Sequence, residues 1–175
     1  MSVSLRCYST SLGCPKNRVD TERLLGSLGV ALVPVESPDE AELVFINTCA
    51  FIQPATEESV RTIAQAIADI EELPKRPLLA VAGCLVGLWL DNSDLEAWPA
   101  MLARKLGLPE PTVPGRILST GPSYAWLKIS DGCRHACSFC AIPNIRGGHR
   151  SHCKDMIVRE ARALLDQGVK ELNLV

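Results

Sequence analysis

Short apolar runs alternate with segments of helical periodicity along the first half of the chain. Apolar runs of strand length begin near residues 3, 31, 42 and 77, and "ELVFIN" and "PLLAVAG" are almost wholly apolar. Such runs are typical of parallel strands that are covered on both faces. Between them, residues 15–29 and 54–73 place apolar side chains at helical spacing. This alternation predicts an α/β fold with a parallel sheet and right-handed crossovers.

The same pattern divides the chain into two units. We predict an N-terminal parallel-sheet domain of the Rossmann or flavodoxin-like kind over residues 1–108, which ends in a helix from Leu95 to Leu106. Residues 109–123 are dense in proline and glycine and predict a linker. Residues 124–175 predict one βαβ element, with strands "YAWLKIS" and "ELNLV" on either side of a helix from Asp155 to Gln167. A lone βαβ element cannot bury its own faces, so we expect the second unit to be cut short.

The composition narrows the class of protein. Hydrophobic residues make up 47% of the chain and charged residues 22%, which predicts a packed core. A net charge of −2 argues against a polyphosphate partner held by bulk charge, although a local basic patch stays possible. No apolar run reaches the roughly 20 residues of a membrane span, and the N-terminus has no secretory signal. We expect a cytoplasmic protein that does not bind membranes.

Eight cysteines in such a chain need an explanation. Four disulfides would suit a small secreted scaffold, whereas metal or cluster ligation is favoured in a reducing compartment. The cysteines form a dispersed set and a clustered set, namely Cys7, Cys14, Cys49 and Cys84, and Cys133, Cys137, Cys140 and Cys153.

Three of the dispersed cysteines follow predicted strands. Cys14, Cys49 and Cys84 end the stretches "SLGC", "INTC" and "VAGC", at equal intervals of 35 residues. Loops beyond the carboxyl ends of parallel strands meet at one edge of the sheet, where ligands bind. Three thiols at that edge are able to hold an iron–sulfur cluster with one iron left open. The alternative is ordinary buried cysteine, and we favour ligation.

The clustered cysteines have the spacing C-x3-C-x2-C, at Cys133, Cys137 and Cys140. Three ligands within one loop are able to wrap a cubane cluster and leave its fourth iron without a protein ligand. Soft thiolates select iron–sulfur clusters or zinc, and a structural zinc would need a fourth ligand such as His135. The spacing is unlike the C-x2-C pairs usual in zinc fingers, and the loop follows a strand that begins a βα unit, where such folds place their chemistry.

Other chemically active residues carry weaker signals. Cys7 lies inside a predicted strand and is interpreted as a core residue. His149, His152 and Cys153 would make a minor metal site, but a polar turn before a helix is the favoured interpretation. For Arg146 and Arg150, contact with a cofactor or substrate and a solvated loop are open alternatives. Lys16 and Asn17 either assist an open cluster face or simply begin a helix, and turn chemistry is sufficient for Asp131.

Together the motifs resemble a known family. C-x3-C-x2-C after a first barrel strand is similar to the signature of radical S-adenosylmethionine (SAM) enzymes. The stretches "SLGCPKN", "NTCAFI", "AGC", "YAWLKISDGC" and "IPNIRGGHRS" occur in the order seen in the methylthiotransferases of that superfamily. "LGCPKN" and "NTCAFI" resemble the RimO-type branch more than the tRNA-modifying branch. One departure is the run Ser151, His152 and Cys153, where the family usually has serine, arginine and proline.

The resemblance implies a fold and a set of cofactors. The fold is an N-terminal methylthiotransferase domain followed by the first βαβ element of a truncated radical SAM partial TIM barrel. The cofactors are SAM and two 4Fe–4S clusters, with Phe139 near the adenine of SAM. A radical SAM cluster would lie on Cys133, Cys137 and Cys140, and an auxiliary cluster on Cys14, Cys49 and Cys84.

The resemblance also implies a reaction. Reductive cleavage of SAM gives a 5′-deoxyadenosyl radical, which removes hydrogen from the β-carbon of an aspartate in small-subunit ribosomal protein S-twelve. The auxiliary cluster carries the sulfur, which a second SAM methylates. A flavodoxin-like or ferredoxin-like protein would donate the electron, and the enzyme is expected to be a monomer. The chain taken alone is expected not to turn over.

Two alternatives stay open at this stage. The first is a methylthiotransferase that acts on a tRNA adenosine, which a basic surface would favour. The second is a non-catalytic iron–sulfur or zinc-binding module, which metal content and a failure to cleave SAM would reveal.

Overall fold

Four parallel strands form the central sheet of this protein, a computed structural model of which describes residues 4–89, 97–111 and 115–175. The strands lie in the order β2-β1-β3-β4, and every neighbouring pair is parallel. The predicted α/β class with a parallel sheet is therefore confirmed. The strands are β1 (Ser4–Ser11), β2 (Ala31–Pro34), β3 (Leu43–Thr48) and β4 (Leu78–Gly83).

Helices cover both faces of this sheet. They are α1 (Pro15–Gly26), α2 (Gln53–Glu71), α3 (Cys84–Trp89) and α4 (Trp98–Leu106), with a short 3-10 helix at Pro38–Glu40. Proline occupies an early position of α1, α2 and α4, where its missing N–H leaves no hydrogen bond unmade. The first residues of the predicted Leu95–Leu106 helix lie outside the described residues.

The strand β3 shows why its sequence is almost wholly apolar. All six of its residues are buried. Phe45 faces a cluster that includes Leu24 and Leu25 of α1 and Leu102 of α4. Val44 packs on the opposite side, against residues of α2. Both faces of the strand are thus covered, as its composition predicts.

A second, smaller parallel pair follows. It consists of β5 (Tyr124–Leu127) and β8 (Glu171–Leu174), which are joined through α6 (Lys154–Asp166). Ala125 and Leu127 pack against Leu164 of α6 and against Val169. This is the predicted βαβ element, and the described residues contain no closed barrel.

Elements inside the cysteine loop differ from the prediction. "YAWLKIS" does not continue as one strand, because β5 ends at Leu127 and Ser130–Asp131 forms β6, which pairs antiparallel with β7 (Arg150–Ser151). Between them lies α5 (Ile142–Arg146), a helix of five residues. Such short elements have no periodicity that a sequence pattern reveals. Within the described ranges, no helix is both long and apolar enough to span a membrane.

Candidate functional site

The N-terminal cysteines occupy corresponding positions beside one another in the sheet. Cys14 directly precedes α1, Cys49 follows β3, and Cys84 begins α3 directly after β4. The strand order places β1, β3 and β4 side by side. The chain goes from β1 to β2 on one side of β1 and then crosses to β3 on its other side. The crevice between β1 and β3 is therefore the switch point where such sheets bind ligands. Cys14 and Cys49 flank that crevice.

Gly13 allows the first two cysteine loops to approach closely. A Cβ at this position would lie 2.6 Å from both Cβ and Sγ of Cys49, and the φ of Gly13 is +86°. Both facts disfavour any residue with a side chain here. The Cys49 thiol therefore lies against the backbone that leads into Cys14.

Asn17 joins all three cysteine loops. Its buried Nδ2 donates hydrogen bonds to the carbonyl oxygens of Leu12 (2.9 Å) and Thr48 (2.7 Å), which precede Cys14 and Cys49 in their loops. Its Oδ1 lies 3.6 Å from Sγ of Cys84. A polar helix start does not account for a fully buried side chain with these partners. Asn17 is a structural centre of the triad.

Ser59 of α2 fixes the backbone of Cys49. Its Oγ accepts a hydrogen bond from the Cys49 N–H (2.9 Å) and donates one to the Cys49 carbonyl oxygen (2.8 Å). Cys49 and Cys84 are buried, whereas Cys14 is exposed. The triad thus opens to solvent on the side of Cys14.

The pKa of the Cys84 thiol reflects these neighbours. Burial raises it, the nearby thiols of Cys49 and Cys14 add to the increase, and the Arg146 guanidinium opposes it. Cys84 is therefore within electrostatic range of the other two thiols and of Arg146. Cys7 is different, because burial in the core alone raises its pKa to about 12. It is the core residue that its place in a strand predicts.

The C-x3-C-x2-C loop is closed at its base but open at its tip. The Cys133 N–H donates to the Gly147 carbonyl oxygen (3.2 Å), and the Cys140 N–H donates to the Cys137 carbonyl oxygen (3.1 Å). A side chain at Gly132 would collide with the backbone of Gly147 and Gly148. Cys137 is exposed, and Cys133 and Cys140 are half-buried. Phe139 is 89% exposed, so the residue predicted near adenine lies on the surface of the loop.

A buried ion-pair network connects the two units. Arg146 of α5 donates to Asn17 Oδ1, to Asp20 Oδ2 (3.2 Å) and to both carboxylate oxygens of Asp131 (3.1 and 3.2 Å). Lys128 pairs with the same two acids, at 2.7 Å from Asp20 and 2.5 Å from Asp131. Of the two interpretations of Arg146, the solvated loop is therefore wrong.

The network changes the pKa of its members. Burial alone would raise the pKa of Asp131, but Lys128, Arg146 and the Gly132 N–H lower it to about 2. Burial would lower the pKa of Arg146, but Asp20 and Asp131 raise it above its ordinary value. Asp131 and Arg146 are thus both charged at neutral pH. Asp131 also makes the expected turn contact with Gly132 (2.9 Å), although its main partners are cations.

A second network lies further along α1. Arg116 pairs with Glu22 (2.7 Å) and with Glu160 of α6 (2.8 Å), and Arg23 pairs with Glu160 (2.5 Å). Glu22 also accepts hydrogen bonds from the N–H and hydroxyl of Ser119 (2.9 and 2.6 Å). The predicted linker is therefore held against α1 by buried charges.

The remaining candidates lie around these networks. Lys16 Nζ donates to the Ser130 carbonyl oxygen (2.7 Å), which links α1 to β6. Arg150 is exposed. Nδ1 of His149 lies 3.5 Å from Nη2 of Arg134 on the surface. His152 Nε2 is buried and has no hydrogen-bond partner within the part of the chain that the structure describes, and Cys153 is exposed before α6.

The fit of these residues to an iron–sulfur cluster rests on their chemistry. Every cysteine is a free thiol, and all eight lie within the described ranges. Across residues 4–89, 97–111 and 115–175, no group of three Cys, His, Asp or Glu side chains is arranged to hold a single metal ion. A cubane cluster binds its thiolates at separate corners. Three soft donors from adjacent strand ends, drawn together at Asn17 and Gly13, suit such a cluster in kind.

Comparison with known proteins identifies the family. The model of uncharacterized protein family UPF0004 matches residues 6–96, about half of the chain. The chain belongs to this family. Its matched region contains Cys14, Cys49 and Cys84 and the sheet that carries them.

Individual relatives agree with the resemblance seen in the motifs. "Ribosomal protein uS12 methylthiotransferase RimO" of Nitratidesulfovibrio vulgaris (strain DP4) is 64% identical over 96% of this chain and 43% of its own length. The proteins of that name from Lawsonia intracellularis and Aquifex aeolicus are 54% and 46% identical, over 99% and 94% of this chain and 43% and 39% of their own lengths. The resemblance to RimO-type methylthiotransferases is confirmed. The chain spans less than half the length of these relatives.

Proposed function

We propose that the protein to which this chain belongs is a cytoplasmic radical SAM methylthiotransferase that modifies an aspartate of ribosomal protein S-twelve. The N-terminal cysteines carry the proposal, because Cys14, Cys49 and Cys84 follow three adjacent parallel strands, and Asn17 contacts the backbone beside Cys14 and Cys49 and the Cys84 thiol. The relatives named for uS12 methylthiotransferase activity support the substrate. A methylthio group at the aspartate β-carbon is the product of this proposal.

Two sets of three thiolates hold the cofactors in this proposal. Cys14, Cys49 and Cys84 would bind the auxiliary 4Fe–4S cluster. The second, radical SAM cluster would be bound by Cys133, Cys137 and Cys140. When bound, the second cluster supplies an electron to SAM, and the auxiliary cluster supplies sulfur. A flavodoxin-like or ferredoxin-like protein is the proposed electron donor, and the enzyme is proposed to act as a monomer.

The chain's own residues divide two tasks between them. Burial of Cys49 and Cys84 keeps water from two of the auxiliary ligands, while the exposed Cys14 leaves one side of the triad accessible. The second loop differs, because none of its three cysteines is buried: a backbone hydrogen bond closes its base at Cys133, and Cys137 at its tip is exposed. An exposed loop suits a cofactor that must receive an electron and a second small molecule.

Iron content tests the two cluster sites. After anaerobic reconstitution we expect about eight irons and eight sulfides per chain. Changing all of Cys14, Cys49 and Cys84 to Ala should leave about four, and so should changing Cys133, Cys137 and Cys140. Cys153→Ala is the matched control and should retain about eight. Iron absent with about one zinc bound would support the non-catalytic metal module instead.

The substrate needs a separate experiment on the full-length protein. With SAM and a reductant, we expect a methylthio group on the aspartate of ribosomal protein S-twelve, detected by mass spectrometry. An Asn variant of that aspartate should stay unmodified. Modification of tRNA, with S-twelve unmodified, would favour the tRNA alternative.

A further inference from the structure

The helix α5 belongs to the second cysteine loop in sequence but contacts the first triad in space. It begins two residues after Cys140. Its Ile145 side chain packs in one buried cluster with Ala50 and Cys84, next to which Leu85 and Ala141 also lie. A segment of the second unit thus forms part of the wall around the N-terminal cysteines.

Arg146, the next residue of α5, makes the polar part of the same contact. Its guanidinium donates to Asn17 Oδ1, and Asn17 Nδ2 in turn donates to the carbonyl oxygens of Leu12 and Thr48. The Arg146 side chain is 10% exposed. One amide therefore transmits the position of α5 to the loops of Cys14 and Cys49.

The acids around Arg146 fix its orientation. Asp20 accepts from Nη1, and Asp131 accepts from the same nitrogen through both oxygens. Lys128 pairs with both acids, so that two cations face two carboxylates. With Nη1 held in this way, the planar guanidinium directs Nη2 at Asn17. A lysine has one ammonium and is not able to reproduce the fork.

We propose that Arg146 is a positioning residue for the N-terminal triad, so that the arrangement of Cys14, Cys49 and Cys84 depends on a side chain from the C-x3-C-x2-C unit. The inference deepens the proposed function, because it assigns to α5 the coupling between the two cysteine sets. Without Arg146, the Asn17 amide that joins the loops ending β1 and β3 loses the donor that fixes its orientation.

Thiol reactivity of the reduced, metal-free chain tests this proposal without any cofactor. We expect Arg146→Gln to speed alkylation of the buried Cys49 by iodoacetamide by about tenfold, as followed by peptide mass spectrometry. Cys7 provides an internal reference, because it is buried in the core of the same sheet and far from α5 in sequence. Its alkylation should change by less than about twofold.

Matched variants separate positioning from general damage. Arg150→Gln removes an exposed arginine four residues away and should leave Cys49 unchanged. Arg146→Lys keeps the charge beside Asp20 and Asp131 and should still accelerate Cys49, because it loses the fork. An unchanged Cys49 rate in both Arg146 variants would overturn the proposal. So would an equal increase at Cys7, which would indicate loosening of the whole sheet.

Iron binding gives the second test. In a chain with Cys133, Cys137 and Cys140 changed to Ala, only the N-terminal triad should bind iron. Adding Arg146→Gln should weaken iron retention against a chelator about tenfold or more, whereas adding Arg150→Gln should not. Equal retention in the two variants would contradict the positioning role. If the parent background binds no iron, the proposed cluster fails, and the alkylation comparison still decides the role of Arg146.

Discussion

The two cysteine sets bring their thiols together by opposite structural routes. Cys14, Cys49 and Cys84 come from three separate strand ends, and two of the three are buried. Cys133, Cys137 and Cys140 lie within eight residues of one loop, and none of them is buried. The first set depends on the fold for its proximity, whereas the second has its proximity from covalent connection.

Because of this difference, the two sites need different supporting residues. A dispersed triad needs groups that hold its loops together, and here they are Asn17, Gly13 and Ser59. A contiguous loop needs only a closed base, which the contact of Gly132 with the backbone at Gly147 and Gly148 provides. Changes to supporting residues should therefore damage the first site far more than the second.

The largest effect should come from Asn17→Ala. This change removes the Asn17 donor from the carbonyl oxygens of Leu12 and Thr48, and it removes the Asn17 acceptor from Nη2 of the buried Arg146 guanidinium. We expect a loss of about 3 to 5 kcal/mol in the free energy of unfolding, measured by urea denaturation. Asn144→Ala is the matched control on the exposed surface of α5 and should cost less than about 0.5 kcal/mol. Similar costs for the two variants would show that Asn17 is not the centre of the triad.

The second largest effect should come from acid, which should weaken the junction between the two units, namely the ion-pair network of Asp20, Lys128, Asp131 and Arg146. The pKa of Asp131 is lowered to about 2 in the folded chain, because Lys128 and Arg146 outweigh its burial. A lowered carboxyl pKa stabilises the fold above the unfolded pKa, and that stability is lost as the pH falls toward the folded value. Between about pH 4 and pH 2 we expect Asp131 to account for a loss of about 2 kcal/mol.

Urea denaturation across that pH range measures the effect. Asp131→Asn should flatten this part of the pH dependence, and Asp69→Asn, on the exposed face of α2, should not. Equal slopes in the wild-type chain and the Asp131→Asn variant would mean that this ion pair contributes nothing to the junction.

Much of the N-terminal sheet could be predicted from its sequence, for a physical reason. The runs "ELVFIN" and "PLLAVAG" have compositions that only doubly covered strands need, and such strands fix where their loops meet. The sequence places Cys14, Cys49 and Cys84 beyond strand ends at one edge of the sheet, whereas the structure supplies the strand order that makes these ends adjacent. Whether these cysteines and those of the second loop bind clusters stays a prediction.

The contacts between the two regions do not follow from the pattern. Asn17, Asp20 and Arg146 are ordinary polar residues in sequence, and only tertiary packing brings them together. One signal was present, because Lys128 stands inside the apolar run "YAWLKIS" and a lysine there needs a buried partner. The short elements α5 and β6 have no periodicity at all, so their role at the junction required the structure.

A smaller effect should follow from Ser59→Ala, which removes both hydrogen bonds to the Cys49 backbone. We expect a cost of about 1 to 2 kcal/mol in urea denaturation, together with faster alkylation of Cys49. Alkylation of Cys133 and Cys137 should not change, because no described contact joins Ser59 to their loop. Thr62→Ala is the control on α2, since its hydroxyl donates to the Glu58 carbonyl oxygen within the helix. An equal change at Cys137 would remove the distinction between a supported and a self-contained site.

The smallest effect should come from His152, which lies between the two ion-pair networks. Burial lowers its pKa, as do Arg23 and Lys128, while Asp131 and Glu160 oppose them. A histidine with a lowered folded pKa favours unfolding as it protonates, so its contribution is complete above about pH 6.5 and declines below that value. His152→Asn should remove this slope in urea denaturation, whereas the exposed His135→Asn should preserve it. A slope that persists without His152 would assign the pH dependence to other groups of the junction. A slope that disappears would assign this pH dependence to His152, which is within electrostatic range of both ion-pair networks.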